Sequence, residues 1–142
     1  MINLITTSLF ILMLFFSPII KAELVEINNQ QLEQLVENKV TIIDVRRADE
    51  WIQTGVIDQS HLMTFFDQKG QYDANAWLME FSEVAPKNSP VVLICHSGSR
   101  SRIIADWLNN TMGYAKVYNV TRGIDSWIKS GRSTEKFKEK QK

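Results

Sequence analysis

Cysteine occurs once in these 142 residues, histidine twice and proline three times, and the formal net charge is zero. A lone thiol, Cys95, excludes an intramolecular disulfide framework, so the fold must rest on an apolar core. His61, His96 and Cys95 are the only soft ligands, and adjacent Cys95-His96 lacks zinc spacing, so neither a metal nor a cofactor is expected. Sixteen basic residues balance 16 acidic ones, which removes any global field favouring nucleic acid or an acidic membrane face. There is no internal repeat, and no low-complexity stretch before the charged tail. Apolar residues at 44% and charged residues at 23% match an ordinary globular chain, and the length allows one domain.

The long apolar run is confined to the N-terminus. Leu9 to Phe16 is unbroken, Ser17-Pro18 interrupts it, and small Ala22 precedes the polar stretch Glu23 to Glu26. A short apolar core, a breaker and a small residue at the cut position form a secretory signal. The expectation is a signal peptide over 1–22, export to the periplasm, a domain over 23–132 and a charged, frayed tail over 133–142. The alternative is an uncleaved membrane anchor. Leu4 to Ile20 gives about 17 residues, barely a span.

Along the mature chain, strands alternate with helices. Val25 to Ile27 reads as an edge strand, with Asn28 or Asn29 capping a helix through Leu32, Leu35 and Val36. Val40 to Ile43 predicts a buried strand ending at Asp44, and Ala48 to Thr54 a helix stopped by Gly55. A short strand is expected over Leu62 to Phe65 and a helix over Ala74 to Val84. Val91 to Ile94, bounded by a proline turn and small polar residues, is the pattern of a central parallel strand. Ser101 to Met112 predicts a helix whose buried stripe is Ile103, Ile104, Trp107, Leu108 and Met112. Lys116 to Val120 is the last strand and Ile124 to Lys129 the last helix. Trp51, Trp77, Trp107 and Trp127 fall on helical faces and read as core. The expected class is α/β with a central, mainly parallel sheet flanked by helices. Ligands in such folds bind beyond the carboxyl ends of the strands, where Asp44 and Cys95 lie.

Val91-Val92-Leu93-Ile94-Cys95-His96-Ser97-Gly98-Ser99-Arg100-Ser101 is a strand, a small polar loop and the start of a helix. If the loop curls back, its N–H groups and the positive helix end meet the sulfur and favour an anion there. A thiolate is such an anion, and the thiolate is the attacking form, so Cys95 is a candidate nucleophile. Arg100 adds positive charge able to hold an anionic donor. Burial of Cys95 as an inert strand-end residue is the competing reading.

Cys-His-Ser-Gly-Ser-Arg-Ser resembles the active-site loop of rhodanese-like domains, whose pattern is close to Cys-x-x-Gly-x-Arg. Ile42-Ile43-Asp44-Val45-Arg46, Glu50 and Gly55-Val56-Ile57 are similar to the family's upstream signature. Val117 to Val120, then Gly123-Ile124 and Trp127, resemble its downstream strand, turn and tryptophan. Departures fall at Val56, Gln59, His96 and Arg122 and bear on donor preference rather than on fold. The resemblance implies a sulfurtransferase that moves sulfane sulfur from a donor such as thiosulfate to a thiophilic acceptor through a Cys95 persulfide. It implies catalytic roles for Cys95 and Arg100, and binding by the loop from His96 through Ser97, Gly98 and Ser99 to Arg100. Asp44, Arg46 and Glu50 are then supporting residues: Asp44 either orients the loop or is structural, while Arg46 and Glu50, four apart and able to pair, read as structural. The partners are a small sulfur donor and a thiol or cyanide-like acceptor, with a protein acceptor as a further option. The alternative is a non-catalytic persulfide carrier or partner-binding module. A cysteine phosphatase or arsenate reductase is disfavoured, because four rather than five residues separate Cys95 from Arg100.

Overall fold

A computed structural model describes residues 22–137. Apart from Ala22 the expected export segment lies outside the described residues, as does the tail beyond Phe137. The chain runs β1 (Glu23–Ile27), α1 (Asn29–Glu37), β2 (Thr41–Asp44), α2 (Ala48–Thr54), β3 (His61–Leu62), α3 (Ala74–Val84), β4 (Val91–Ile94), α4 (Ser99–Asp106), β5 (Lys116–Val120) and α5 (Gly123–Lys129). The five strands form one sheet in the order β1-β5-β4-β2-β3, and every pairing is parallel. The expected α/β class with a parallel sheet flanked by helices is what the chain adopts.

β4 is buried along its whole length and sits between β5 and β2. Because alternate side chains point to opposite faces, its sequence feeds two cores. Val91, Leu93 and Cys95 join Trp77, Phe81, Ile104 and Leu108 on one side. Val92 and Ile94 join Leu32, Ile57, Ile124 and Trp127 on the other. This parity puts Cys95 on the side of α3 and α4.

Local chemistry sets several helix ends where expected. Asn28 caps α1 by accepting from the Gln31 N–H at 2.9 Å while the Gln31 side chain bonds back to the Asn28 N–H, a reciprocal capping box. Asp73 caps α3. Other details differ. α4 begins two residues early, at Ser99, and Trp107–Thr111 continues it as a wider π turn. The inward face of this helix is Ser101, Ile104, Ala105, Leu108 and Asn109, turned away from the expected stripe, so that Ile104 and Leu108 are buried while Ile103 is 62% exposed. Trp51, Trp77 and Trp127 are core residues as expected, whereas Trp107 is half-buried. The third strand is shorter and earlier than Leu62 to Phe65, although the Met63 and Phe65 N–H groups still donate to Asp44 and Val45 carbonyls.

The tail expectation also needs correction in its first residues. Glu135 exchanges backbone hydrogen bonds with Val56 in an antiparallel bridge, and Phe137 packs on Trp51 at 5.4 Å. The segment after α5 covers α2 rather than fraying, because Trp51 and Val56 offer apolar surface there.

Two glycines bring the loop after β4 against the loop after β5. Gly98 is left-handed (φ 92), and a Cβ there would collide with the Thr121 carbonyl. Gly123 is also left-handed (φ 57), and a Cβ there would collide with the Cys95 and His96 carbonyls. Its position lets the next two residues, Ile124 and Asp125, donate to those same carbonyls at 2.9 and 3.1 Å. Gly123→Ala must therefore either distort the loop or break these bonds, with an expected loss of about 2 kcal/mol or more. Urea unfolding of the variant should show a lower midpoint at an unchanged slope; a wild-type midpoint would mean the two loops are not in close contact.

Candidate active site

The site forms where β4 ends and the chain turns through Gly98 into α4. Cys95 has no exposed surface, yet its sulfur is not packed in hydrocarbon alone. The Gly98 N–H donates to Sγ at 3.1 Å, and the Ser101 hydroxyl oxygen lies 3.2 Å from it. The first turn of α4 carries N–H groups without intrahelical acceptors, so the positive helix end faces this loop. From the opposite side, α5 fixes the Cys95 and His96 carbonyls, as described above. The loop is therefore held at its carbonyls and turns a donor onto the sulfur.

His96, Ser97 and Ser99 are exposed around the loop, and Gly98 is buried. The Ser97 and Ser99 hydroxyl oxygens approach one another at 3.4 Å. Among the described residues the His96 side chain has no hydrogen bond to the sulfur, so proton abstraction by His96 has no support in this arrangement.

Arg100 does not stand free. Its guanidinium makes a forked pair with Glu50 of α2, at 2.5 and 2.9 Å. Glu50 also accepts from the Arg47 N–H at 3.1 Å. The expected Arg46–Glu50 pair is thus corrected: Glu50 belongs to Arg100 and Arg47. Arg46 reaches the Glu50 backbone carbonyl at 3.4 Å, but its ionic partner is Asp44.

The Arg46–Asp44 pair is wholly buried, with Nη2–Oδ2 at 2.7 Å and Nε–Oδ1 at 2.9 Å. Remaining donors of Arg46 reach Thr54 Oγ1 at 2.7 Å and the Gly55 carbonyl at 2.9 Å. A buried pair persists only when its remaining hydrogens are satisfied in this way. Asp44 therefore does not hydrogen-bond the active-site loop; of its two expected roles it has the structural one. Its carboxylate is used by Arg46, which ties the tip of β2 to the end of α2. That tie presents Glu50 to Arg100.

Glu26, Asn119 and Thr121 were not expected in the site. Asn119 is 1% exposed and lies between Ser101 and Glu26, bonding both. Thr121 donates to Glu26 at 3.0 Å, and Arg102 pairs with the same carboxylate. No local sequence signal marks them, because strand pairing brings β1 and β5 together only in the fold.

The described residues contain no cluster able to hold a metal ion. What the arrangement offers is one sulfur atom at a strand tip, under a short loop that donates to it. The rhodanese-like domain profile matches residues 28–130, and the chain belongs to that family. It is 30% identical over 111 residues to the thiosulfate sulfurtransferase GlpE of Actinobacillus pleuropneumoniae serotype 3, covering 78% of this chain and 92% of the relative. The GlpE thiosulfate sulfurtransferase of Coxiella burnetii is 28% identical over 72% of this chain and 85% of its own length. Among solved structures, a rhodanese-related protein of Thermoplasma volcanium superposes with a TM-score of 0.58 at 27% identity, over 77% of this chain and 95% of that one. The polysulfide-sulfur transferase homodimer of Wolinella succinogenes shares the fold with a TM-score of 0.63 at 21% identity, over 87% and 86% of the two chains.

Burial opposes ionisation of Glu50, but hydrogen bonds from Arg100 and the Arg47 N–H, with the charges of both arginines, hold its carboxyl down at about 2. A folded-state value below the ordinary 4.5 stabilises the protein fully above that pH. The contribution shrinks as pH falls and is gone below about 2. Denaturant unfolding of wild type and Glu50→Gln across the acid range should show the gap between them narrowing as pH drops. A gap that stays constant down to about pH 3 would show that the Glu50 charge adds nothing.

Proposed function

We propose that the chain is a sulfurtransferase in which Cys95 carries sulfane sulfur as a persulfide between a small donor and a thiophilic acceptor. The observation that carries this reading is the Gly98 N–H on the Cys95 sulfur, in a loop with four residues between Cys95 and Arg100, one fewer than the phosphatase pattern. Family membership and the GlpE relatives point the same way.

With thiosulfate as donor, the Cys95 thiolate attacks the outer sulfur, the donor's S–S bond breaks, and sulfite leaves with the electron pair. The enzyme is left as Cys95–S–S⁻. An acceptor such as cyanide or a thiolate then attacks the outer sulfur, and the Cys95 thiolate is released. No external oxidant or reductant enters either step. The loop N–H groups from His96 to Arg100 would stabilise the charge on the outer sulfur, a role supported by the Gly98 N–H that donates to Sγ. Arg100 contributes chiefly by clamping the loop to α2 through Glu50, since its charge is already matched there. The exposed rim of His96, Ser97 and Ser99 is where a small donor and acceptor, or a protein acceptor, would approach.

The chain is further proposed to be exported to the periplasm, with residues 1–22 as a cleaved signal peptide. The support is the short apolar run, its breaker and Ala22. Expression of the full chain in a bacterium should yield a periplasmic product beginning at Glu23, as read by intact mass. A full-length product in the membrane fraction would replace cleavage with anchoring.

Residues 23–142 treated with thiosulfate should gain the mass of one sulfur and lose it to cyanide with formation of thiocyanate. Cys95→Ser should reduce both to background while its unfolding midpoint stays near wild type. Thiocyanate formation by the serine variant at the wild-type rate would refute the assignment. A stable mass gain without turnover would make the protein a persulfide carrier instead.

A further inference from the structure

Beneath the active-site loop, a line of hydrogen bonds runs from Cys95 through Ser101 and Asn119 to Glu26 on edge strand β1. Ser101 has no exposed surface and Asn119 only 1%, so water does not compete for their polar atoms. The Ser101 oxygen lies 2.6 Å from Asn119 Oδ1, 3.2 Å from Cys95 Sγ and 3.3 Å from the Gly98 carbonyl. A serine hydroxyl has one hydrogen, so it can serve only one of these three acceptors at a time.

Which one follows from Asn119. Its amide nitrogen meets only acceptors: Glu26 Oε2 at 2.9 Å and the Gly98 carbonyl at 3.2 Å. Turning the amide over would set oxygen against a carboxylate and a carbonyl. Oδ1 therefore faces Ser101. Two oxygens 2.6 Å apart, one of them able only to accept, require the hydroxyl hydrogen between them. The Ser101 lone pairs are then what the sulfur sees.

A thiol suits that arrangement, because its S–H can donate to Ser101 Oγ. The bridging sulfur of a persulfide also suits it, because that atom bears no charge. A thiolate does not. It is opposed by the Ser101 lone pairs until the hydroxyl turns toward sulfur, which leaves Asn119 Oδ1 buried without a donor.

We infer that Asn119, locked in orientation by Glu26, is a positioning residue that keeps the Ser101 proton off the Cys95 sulfur and so favours the uncharged inner sulfur of the thiol and the persulfide over the empty thiolate. In the loaded enzyme the charge then sits on the outer sulfur, the atom to be delivered. This consequence rests on Cys95 being the sulfur carrier; the placement of the proton does not.

Other charges near the site are matched within it: Asp44 with Arg46, Glu50 with Arg100, and Glu26 with Arg102. Exposed His96 belongs to the loop itself, and the Gly98 N–H acts in the opposite sense by favouring charge on sulfur. The Ser101 effect must therefore be read as a difference between variants.

The test is the pH profile of Cys95 alkylation by iodoacetamide, followed by intact mass, on residues 23–142. Asn119→Leu frees the Ser101 hydroxyl to donate to the thiolate, and the midpoint should fall by about one pH unit, the worth of one hydrogen bond to a charged group. The same substitution on a Ser101→Ala background should move the midpoint little, because the hydroxyl is gone. An unchanged or higher midpoint for Asn119→Leu would overturn the inference, and so would a fall that survives without Ser101. Should Asn119→Leu fail to fold, Asn119→Ala carries the same cycle, since it too removes the acceptor that holds the Ser101 hydrogen. A shift caused merely by the loss of side-chain volume at position 119 would persist on the Ser101→Ala background and count against the proposal. Thiosulfate loading of the wild type, measured alongside, judges the sulfur-carrier reading separately.

Discussion

The structure depends on how the chain leaves β4. A strand buried on both faces ends at Cys95, and the polypeptide must reverse into α4 within four residues while its polar groups remain paired. Gly98 makes this feasible by adopting a left-handed conformation in a place where no side chain fits. Its N–H then has the sulfur as partner, and its carbonyl accepts from Arg102 and Asn119. The catalytic loop is thus a solution to a backbone pairing problem. Its chemistry follows from which donor is left to face Cys95.

Three separate elements brace that reversal. α5 donates two N–H groups to carbonyls of the loop, which is why Gly123 must approach so closely. α2 holds Arg100 through Glu50, and α2 is itself tied to the end of β2 by the buried Asp44–Arg46 pair. β1 and β5 supply Glu26 and Asn119 from below. A buried ion pair is a poor source of net stability, since desolvation consumes most of the attraction. The Asp44–Arg46 pair makes better sense as a fixed joint. Its guanidinium reads the Thr54 hydroxyl and the Gly55 carbonyl at once, and so sets the angle at which α2 leaves the sheet.

Much of this was legible from residues alone, for identifiable reasons. α2, α3 and β4 have boundaries marked by Gly55, Asp73 and the proline turn at Pro86 to Pro90, which act locally. Cys95 stood out because a small polar loop separates a wholly apolar strand from a helix. The partner of Glu50 is not legible locally, because a separation of four residues suggests Arg46, whereas the partner, Arg100, lies 50 residues away. Ile103 reads as core because it is apolar and adjoins Ile104, but the inward face is the one shared by Ser101, Ile104, Ala105 and Leu108, and Ile103 lies to the side of it. The segment 133–137 looked like solvent-exposed tail because its charges hide one aromatic ring and a pair of backbone bonds to Val56.

The least legible part of the site is the line from Ser101 to Glu26. Serine, asparagine and glutamate are ordinary residues, and their separations of 18 and 93 positions carry no pattern. Their significance comes from counting hydrogens in a place without water. Asn119 has two donors and two acceptor-only neighbours on that side, so its oxygen is forced toward Ser101. Serine has one hydrogen, so satisfying Asn119 withholds it from sulfur. A carboxylate on the outer strand thereby influences the charge state preferred by an atom two strands away, without any group in between changing its protonation. The loop places the sulfur; the sheet beneath it governs the proton.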